Sequence, residues 1–114
     1  MTLLLFMNKT DDVYVQDMKE AITQIALYTA TVSFEEFSTD QMLHDATIRQ
    51  MEVLGEAANK LSSDFKGNNP DLPLRQVISM RNFLIHGYDQ VDLQIVWDTI
   101  QQNIPELQKM LEAF

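Results

Sequence analysis

Between Arg81 and Tyr88 the chain gathers a guanidinium, an amide, an imidazole and a phenol: Arg81-Asn82-Phe83-Leu84-Ile85-His86-Gly87-Tyr88. Each suits a different part of phosphoryl chemistry. An unperturbed imidazole titrates near neutral pH, so His86 can take or give a proton. The planar fork of Arg81 can hold a phosphate or offset the charge of a phosphorane-like transition state. Asn82 can orient His86 or a substrate hydroxyl, and Tyr88 can donate a hydrogen bond or carry a modification. Together they suit metal-independent cleavage of RNA, in which the 2′-hydroxyl attacks the neighbouring phosphorus. That reaction needs a proton acceptor, a proton donor and a cation, and no cofactor.

The spacing matters as much as the types. At about 100° per residue on a helix, Tyr88 returns to nearly the face of Arg81, and His86 lies about 140° away. Gly87 fits the left-handed residue that ends many helices. His86 then falls in the last turn, where the helix dipole favours the imidazolium. A plainer reading stands beside this one: a helix-end histidine often caps, and an arginine on an apolar stripe often pairs with a carboxylate, here Glu52 or Glu56. Spacing leaves both open.

Other candidates read as structural. His44 beside Asp45 reads as a solvated residue near a helix start. Met18, Met42, Met51, Met80 and Met110 read as core filler. Trp97 reads as a core anchor rather than an interface hot spot. Glu35-Glu36 reads as part of a solvated connector.

The elements that must position the 81–88 stretch are helical. A chain of 114 residues suits one domain with one core. With three Gly and three Pro it has too little turn chemistry for a many-turned β fold. Tyr14, Met18, Ala21, Ile22, Ile25 and Tyr28 recur at helical spacing, predicting a first helix from a cap at Thr10 or Asp11 to about residue 32. Phe34 and Phe37 fall in the connector. Ser38-Thr39-Asp40-Gln41 has capping-box spacing and predicts a second helix continuing to about residue 62. Gly55 inside it costs about 1 kcal/mol relative to Ala, which a close helix crossing at Gly55 and Ala58 would offset. Residues 67–73 form a loop. Pro73 suits the first turn of a third helix, with Leu74, Val77, Ile78, Arg81, Leu84 and Ile85 as its stripe. A fourth helix from Asp92 carries Ile95, Val96, Trp97, Ile100, Leu107, Met110, Leu111 and Phe114, and Pro105 should kink or split it. The expected fold is an all-α antiparallel four-helix bundle formed by residues 9–114, preceded by an apolar leader at 1–8.

Composition narrows the function. No cysteine means no disulfide and no thiolate metal site, in keeping with a reducing cytoplasm, and two histidines offer no zinc-ligand spacing. The apolar start Met1–Met7 lacks the basic flank and cleavage site of a signal peptide, and no apolar run is long enough to span a bilayer, so a cytoplasmic protein is expected. The formal charge of −9 disfavours broad non-specific binding to nucleic acid, and any RNA chemistry must therefore depend on a local cluster of cations.

The run Met80-Arg81-Asn82-Phe83-Leu84-Ile85-His86-Gly87-Tyr88-Asp89-Gln90-Val91-Asp92 resembles the signature of HepT-like proteins, a branch of the HEPN superfamily of small all-helical domains. The likeness extends to Asp45-Ala46-Thr47-Ile48-Arg49, to Leu54-Gly55-Glu56-Ala57-Ala58 and to Leu72-Pro73-Leu74-Arg75, and so covers about residues 11–111. The family often has Trp where this chain has Leu74, a change of packing more than of chemistry, and the leader lies outside the pattern. The resemblance implies a ribonuclease toxin of a type VII-like toxin–antitoxin pair, working as a homodimer with two copies of the motif facing one cleft. It implies Arg81 and His86 as the catalytic pair, Asn82 as their support, and Tyr88 as the tyrosine that a minimal nucleotidyltransferase antitoxin, MntA, modifies with AMP. Transfer RNA is the implied target class. The alternatives are a non-catalytic helical subunit that partners a nucleotidyltransferase, and a structural dimer whose motif only braces the bundle.

Overall fold

A computed structural model describes the backbone of residues 2–86 and 91–114 and the side chains of residues 10–85 and 91–114. Four long helices and two short ones account for nearly all of it: α1 (Thr2–Thr29), α2 (Phe34–Thr39), α3 (Gln41–Lys60), α4 (Ser63–Asn68), α5 (Leu74–His86) and α6 (Leu93–Leu111). The all-α bundle expected from the sequence is what forms.

The inner face of α1 is Val15, Met18, Ala21, Ile22, Ile25 and Thr29, at three-to-four spacing and all buried. Burying each of the larger apolar side chains contributes about 1.5–3 kcal/mol. Thr29 satisfies its own buried hydroxyl by donating to the Ile25 carbonyl at 2.8 Å. The helix runs back to Thr2, so neither Thr10 nor Asp11 caps it. Asp11 instead accepts two hydrogen bonds from Ser62, one from the backbone N–H at 2.9 Å and one from the hydroxyl at 2.7 Å. This ties the first half of α1 to the turn after α3, and the two helices run antiparallel.

The predicted connector contains α2. Its N-cap is Ser33, whose hydroxyl accepts from the Glu36 N–H while the Glu36 carboxylate accepts from the Ser33 N–H. The fully buried Phe37 seats this short helix against Trp97 of α6, with ring centroids 5.2 Å apart. Trp97 also meets Phe34 edge-on, so the tryptophan is a half-buried anchor between two helices. Asp40, not Ser38, caps α3, accepting from the Leu43 N–H at 3.0 Å. The Ser38 hydroxyl is occupied by the Glu35 carbonyl. His44 is not a solvated residue: its Nδ1 lies 3.0 Å from the Phe37 carbonyl and its ring meets the edge of Phe37, pinning α2 to α3.

The central element is α3, with α1 on one side and α5 on the other, while α6 lies against α1 and α2. Its buried residues are Thr47, Ile48, Met51, Leu54, Gly55, Ala57 and Ala58. Ser62 then caps α4, and Phe65 of α4 packs on Phe114 at 5.3 Å. The α6 helix begins behind Asp92, as expected, with the carboxylate accepting from the Gln94 N–H. Pro105 does not split it: one helix runs through the proline, which is exposed like Gln101 one turn before it. The carbonyl that loses its partner there belongs to Gln101, an exposed residue. Leu111 is buried, and the Lys19 ammonium of α1 donates to the Phe114 carbonyl just beyond it.

Among the described residues no helix is long and apolar enough to cross a membrane.

Candidate active site

Arg81 sits in the second half of α5, where that helix crosses α3. The crossing is unusually close because α3 presents Gly55. A methyl group built at position 55 would lie 2.2 Å from Arg81 Cβ, 2.9 Å from its Cγ and 3.1 Å from the Val77 carbonyl oxygen. The first two carbons of the arginine side chain thus rest on the α3 backbone. From this seat the guanidinium reaches Asn82, donating from Nη1 to Oδ1 at 3.0 Å. The contact uses the acceptor of Asn82 and, among the described residues, leaves its NH₂ available to donate; it uses only part of the donor fork of Arg81.

The ion pair that would have made Arg81 structural does not form. Glu52 pairs with Arg49 at 3.7 Å and Glu56 with Lys60 at 3.4 Å, both within α3. Among the described residues, Arg81 has no carboxylate partner. A guanidinium in that state is available to an anion.

His86 is the last residue of α5, so the backbone places it on the same helix as Arg81, about 7.5 Å further along the axis at 1.5 Å per residue. The expected helix-ending residue, Gly87, lies outside the described residues. The His86 side chain and the whole of Tyr88 lie outside the described residues. The structure therefore brings together Arg81 and Asn82 of the four candidates.

Around this pair the surface is apolar. Phe83 is 40% exposed, Ile85 39% and Ile95 47%. Of the two residues expected on the buried stripe here, Leu84 is fully buried and anchors this turn, while Ile85 is not. The N-terminal half of α5 borders a separate cavity of about 460 Å³, lined chiefly by Met51, Leu54, Val77, Met80, Ile104 and Leu107. It lies between α3, α5 and α6 and contains neither Arg81 nor Asn82. Among the described residues no group of three or more His, Asp and Glu side chains is placed to hold a metal ion.

Sequence reasoning foresaw a close crossing at Gly55 but not its partner. The signal was present: a glycine in a helix interior and an arginine on an apolar stripe, each out of place alone.

The fold and the site define a small all-α domain whose polar chemistry is concentrated toward the C-terminal end of one helix, backed by a close helix crossing. A model of the family described as Ribonuclease HepT-like matches residues 18–114, and the chain belongs to that family. It is 37% identical over 106 residues to "Probable ribonuclease HepT" of Thermococcus cleftensis, covering 93% of this chain and 96% of that one. It is 29% identical over 107 residues to a protein of Methanocaldococcus jannaschii named "Putative RNase", covering 93% and 98%. A protein of the same name from Caldanaerobacter subterraneus is 33% identical over 104 residues, covering 91% and 93%. No solved structure matches the chain significantly. The resemblance seen in the 80–92 run is thus met at the level of the family.

Proposed function

We propose that this protein is a metal-independent endoribonuclease that cleaves RNA by internal transesterification, with Arg81 and His86 as its catalytic residues. The observation that carries the reading is a half-buried Arg81 with no carboxylate partner among the described residues, hydrogen-bonded to Asn82 on the helix that ends at His86. In the reaction, the His86 imidazole accepts the proton of the 2′-hydroxyl as its oxygen attacks the adjacent phosphorus. The bond from phosphorus to the 5′-oxygen breaks, leaving a 2′,3′-cyclic phosphate and a 5′-hydroxyl, and a protonated imidazole supplies the proton for that oxygen. Arg81 offsets the charge on the non-bridging oxygens, and the Asn82 NH₂ orients the phosphate or the hydroxyl.

A homodimer with two facing copies of the motif supplies two Arg81 and two His86 to one cleft, so that one imidazole is base while the other is acid. The exposed Phe83 and Ile85 beside Arg81 suit burial at such a seam. Pooling cations there also answers the −9 charge of each chain. In this reading the protein is the cytoplasmic toxin of a toxin–antitoxin pair. Its partner, a minimal nucleotidyltransferase of the MntA kind, adds AMP to Tyr88, placing bulk and negative charge close along the chain to Arg81 and His86 and so repelling an RNA phosphate. Transfer RNA is the substrate class.

The test is RNA cleavage in EDTA by protein whose mass shows no AMP on Tyr88, beside His86→Ala. Wild type should cleave, and a folded His86→Ala should lose about 10²- to 10⁴-fold in rate. The acidic surface favours a second reading, a non-catalytic subunit that presents substrate to a nucleotidyltransferase. Failure of verified unmodified protein to cleave tRNA and mRNA would select it.

A further inference from the structure

Gly55 lies on α3, away from the run of candidate residues, yet it touches the base of the arginine that the proposed reaction depends on. The three atoms nearest a methyl group at position 55 are Arg81 Cβ, Arg81 Cγ and the Val77 carbonyl oxygen, at 2.2, 2.9 and 3.1 Å. None is the free end of a flexible chain. A methyl group would therefore push α5 away from α3 by about an ångström, since ordinary contact begins near 3.4 Å. Gly67 behaves differently: there a methyl group meets nothing within 4 Å.

We propose that Gly55 is a positioning residue for Arg81, its missing side chain letting the α3 backbone serve as the seat that aims the guanidinium. The side chain is then held at two points. The Gly55 seat fixes its first two carbons, and the Asn82 Oδ1 acceptor, 3.0 Å from Nη1, fixes its tip. With both points held, the bonds between them keep little freedom, so the fork meets a scissile phosphate with little reorganisation. The inference rests on the reading that Arg81 binds that phosphate. It adds that the aim of Arg81 is set from a different helix.

The experiment compares wild type, Gly55→Ala and, as a control for loosened packing, Ala21→Gly in the buried face of α1. Each is assayed for kcat and KM on RNA, and the Arg81 Nε–Hε resonance is followed by ¹⁵N NMR. Gly55→Ala should lower kcat by about 10- to 100-fold, the cost expected of an ångström of misplacement. KM should change little, and the Arg81 resonance should move while those of Arg49 and Arg75 stay. Ala21→Gly should melt earlier yet keep the kcat of wild type and its Arg81 resonance.

A wild type that cleaves beside a folded Gly55→Ala of equal kcat would overturn the positioning role and leave the nuclease reading intact. A wild type that does not cleave would remove the nuclease reading, and the resonance alone would then decide: no movement in Gly55→Ala overturns the seat. Should Gly55→Ala not fold, it is combined with Arg81→Gly. Recovery to within a few degrees of the Arg81→Gly melting temperature places the obstruction at the arginine stem. No recovery places it at the Val77 carbonyl and overturns the inference.

Discussion

The two sides of α3 are built on opposite principles. Toward α1 the packing is conventional: α1 packs along α3 with Met18, Ala21, Ile22 and Ile25 buried in the apolar core, and the surrounding polar groups are satisfied locally, as Thr29 and Thr47 satisfy theirs on carbonyls one turn back. Toward α5 the helices meet at a glycine, the group pressed into the gap is the stem of an arginine, and the next residues outward, Phe83 and Ile85, stay in solvent. One side uses its close packing to stabilise the fold. The other uses it to hold a cation at the surface without a counter-charge among the described residues. On the proposed reading, stability and chemistry are divided between the two faces of one helix.

That division can be broken from either side. The largest effect on folding should come from the α1 face: Ile22→Ala should cost about 2–5 kcal/mol in urea unfolding, while the molecules that remain folded keep their kcat. Arg81→Ala should do the reverse, losing about 10²- to 10³-fold in RNA cleavage with little change in melting temperature. Arg81→Lys should not restore it, because an ammonium lacks the planar fork. A large loss of stability in Arg81→Ala would mean that the α5 side is as structural as the α1 side. The smallest effect on stability is expected at Phe83→Glu, within about 0.5 kcal/mol for an exposed position. Its consequence should be seen in mass by light scattering, where the proposed dimer falls to a monomer and cleavage falls with it. An unchanged mass would remove Phe83 from the seam.

Much of this was legible in the chain. The long helices declared themselves by periodicity, and Asp92 and Pro73 marked real beginnings. The two short helices did not, because six residues are too few to show a period. Their only marks were caps, and the Ser33–Glu36 box competed with an equally good spacing at Ser38–Gln41 that the structure does not use. Ile85 and Ile95 fit their stripes by count yet face solvent, since periodicity says which face a residue shares and not where that face stops being covered. The Arg81–Gly55 seat joins positions far apart in the chain, and single-residue reasoning saw only a costly glycine and an arginine on an apolar stripe. The roles of His86 and Tyr88 rest on motif and chemistry.

The bond pair between Asp11 and Ser62 has a further use. Residues 51 positions apart hold each other on an exposed surface. The Ser62 amide belongs to an exposed residue, yet its exchange with deuterated solvent should be slow, because it opens only when the first half of α1 lifts from the turn after α3. Local fraying of α4 would not release it. That one amide is a clock for the undocking of α1, and it can be read in the intact protein without any substitution.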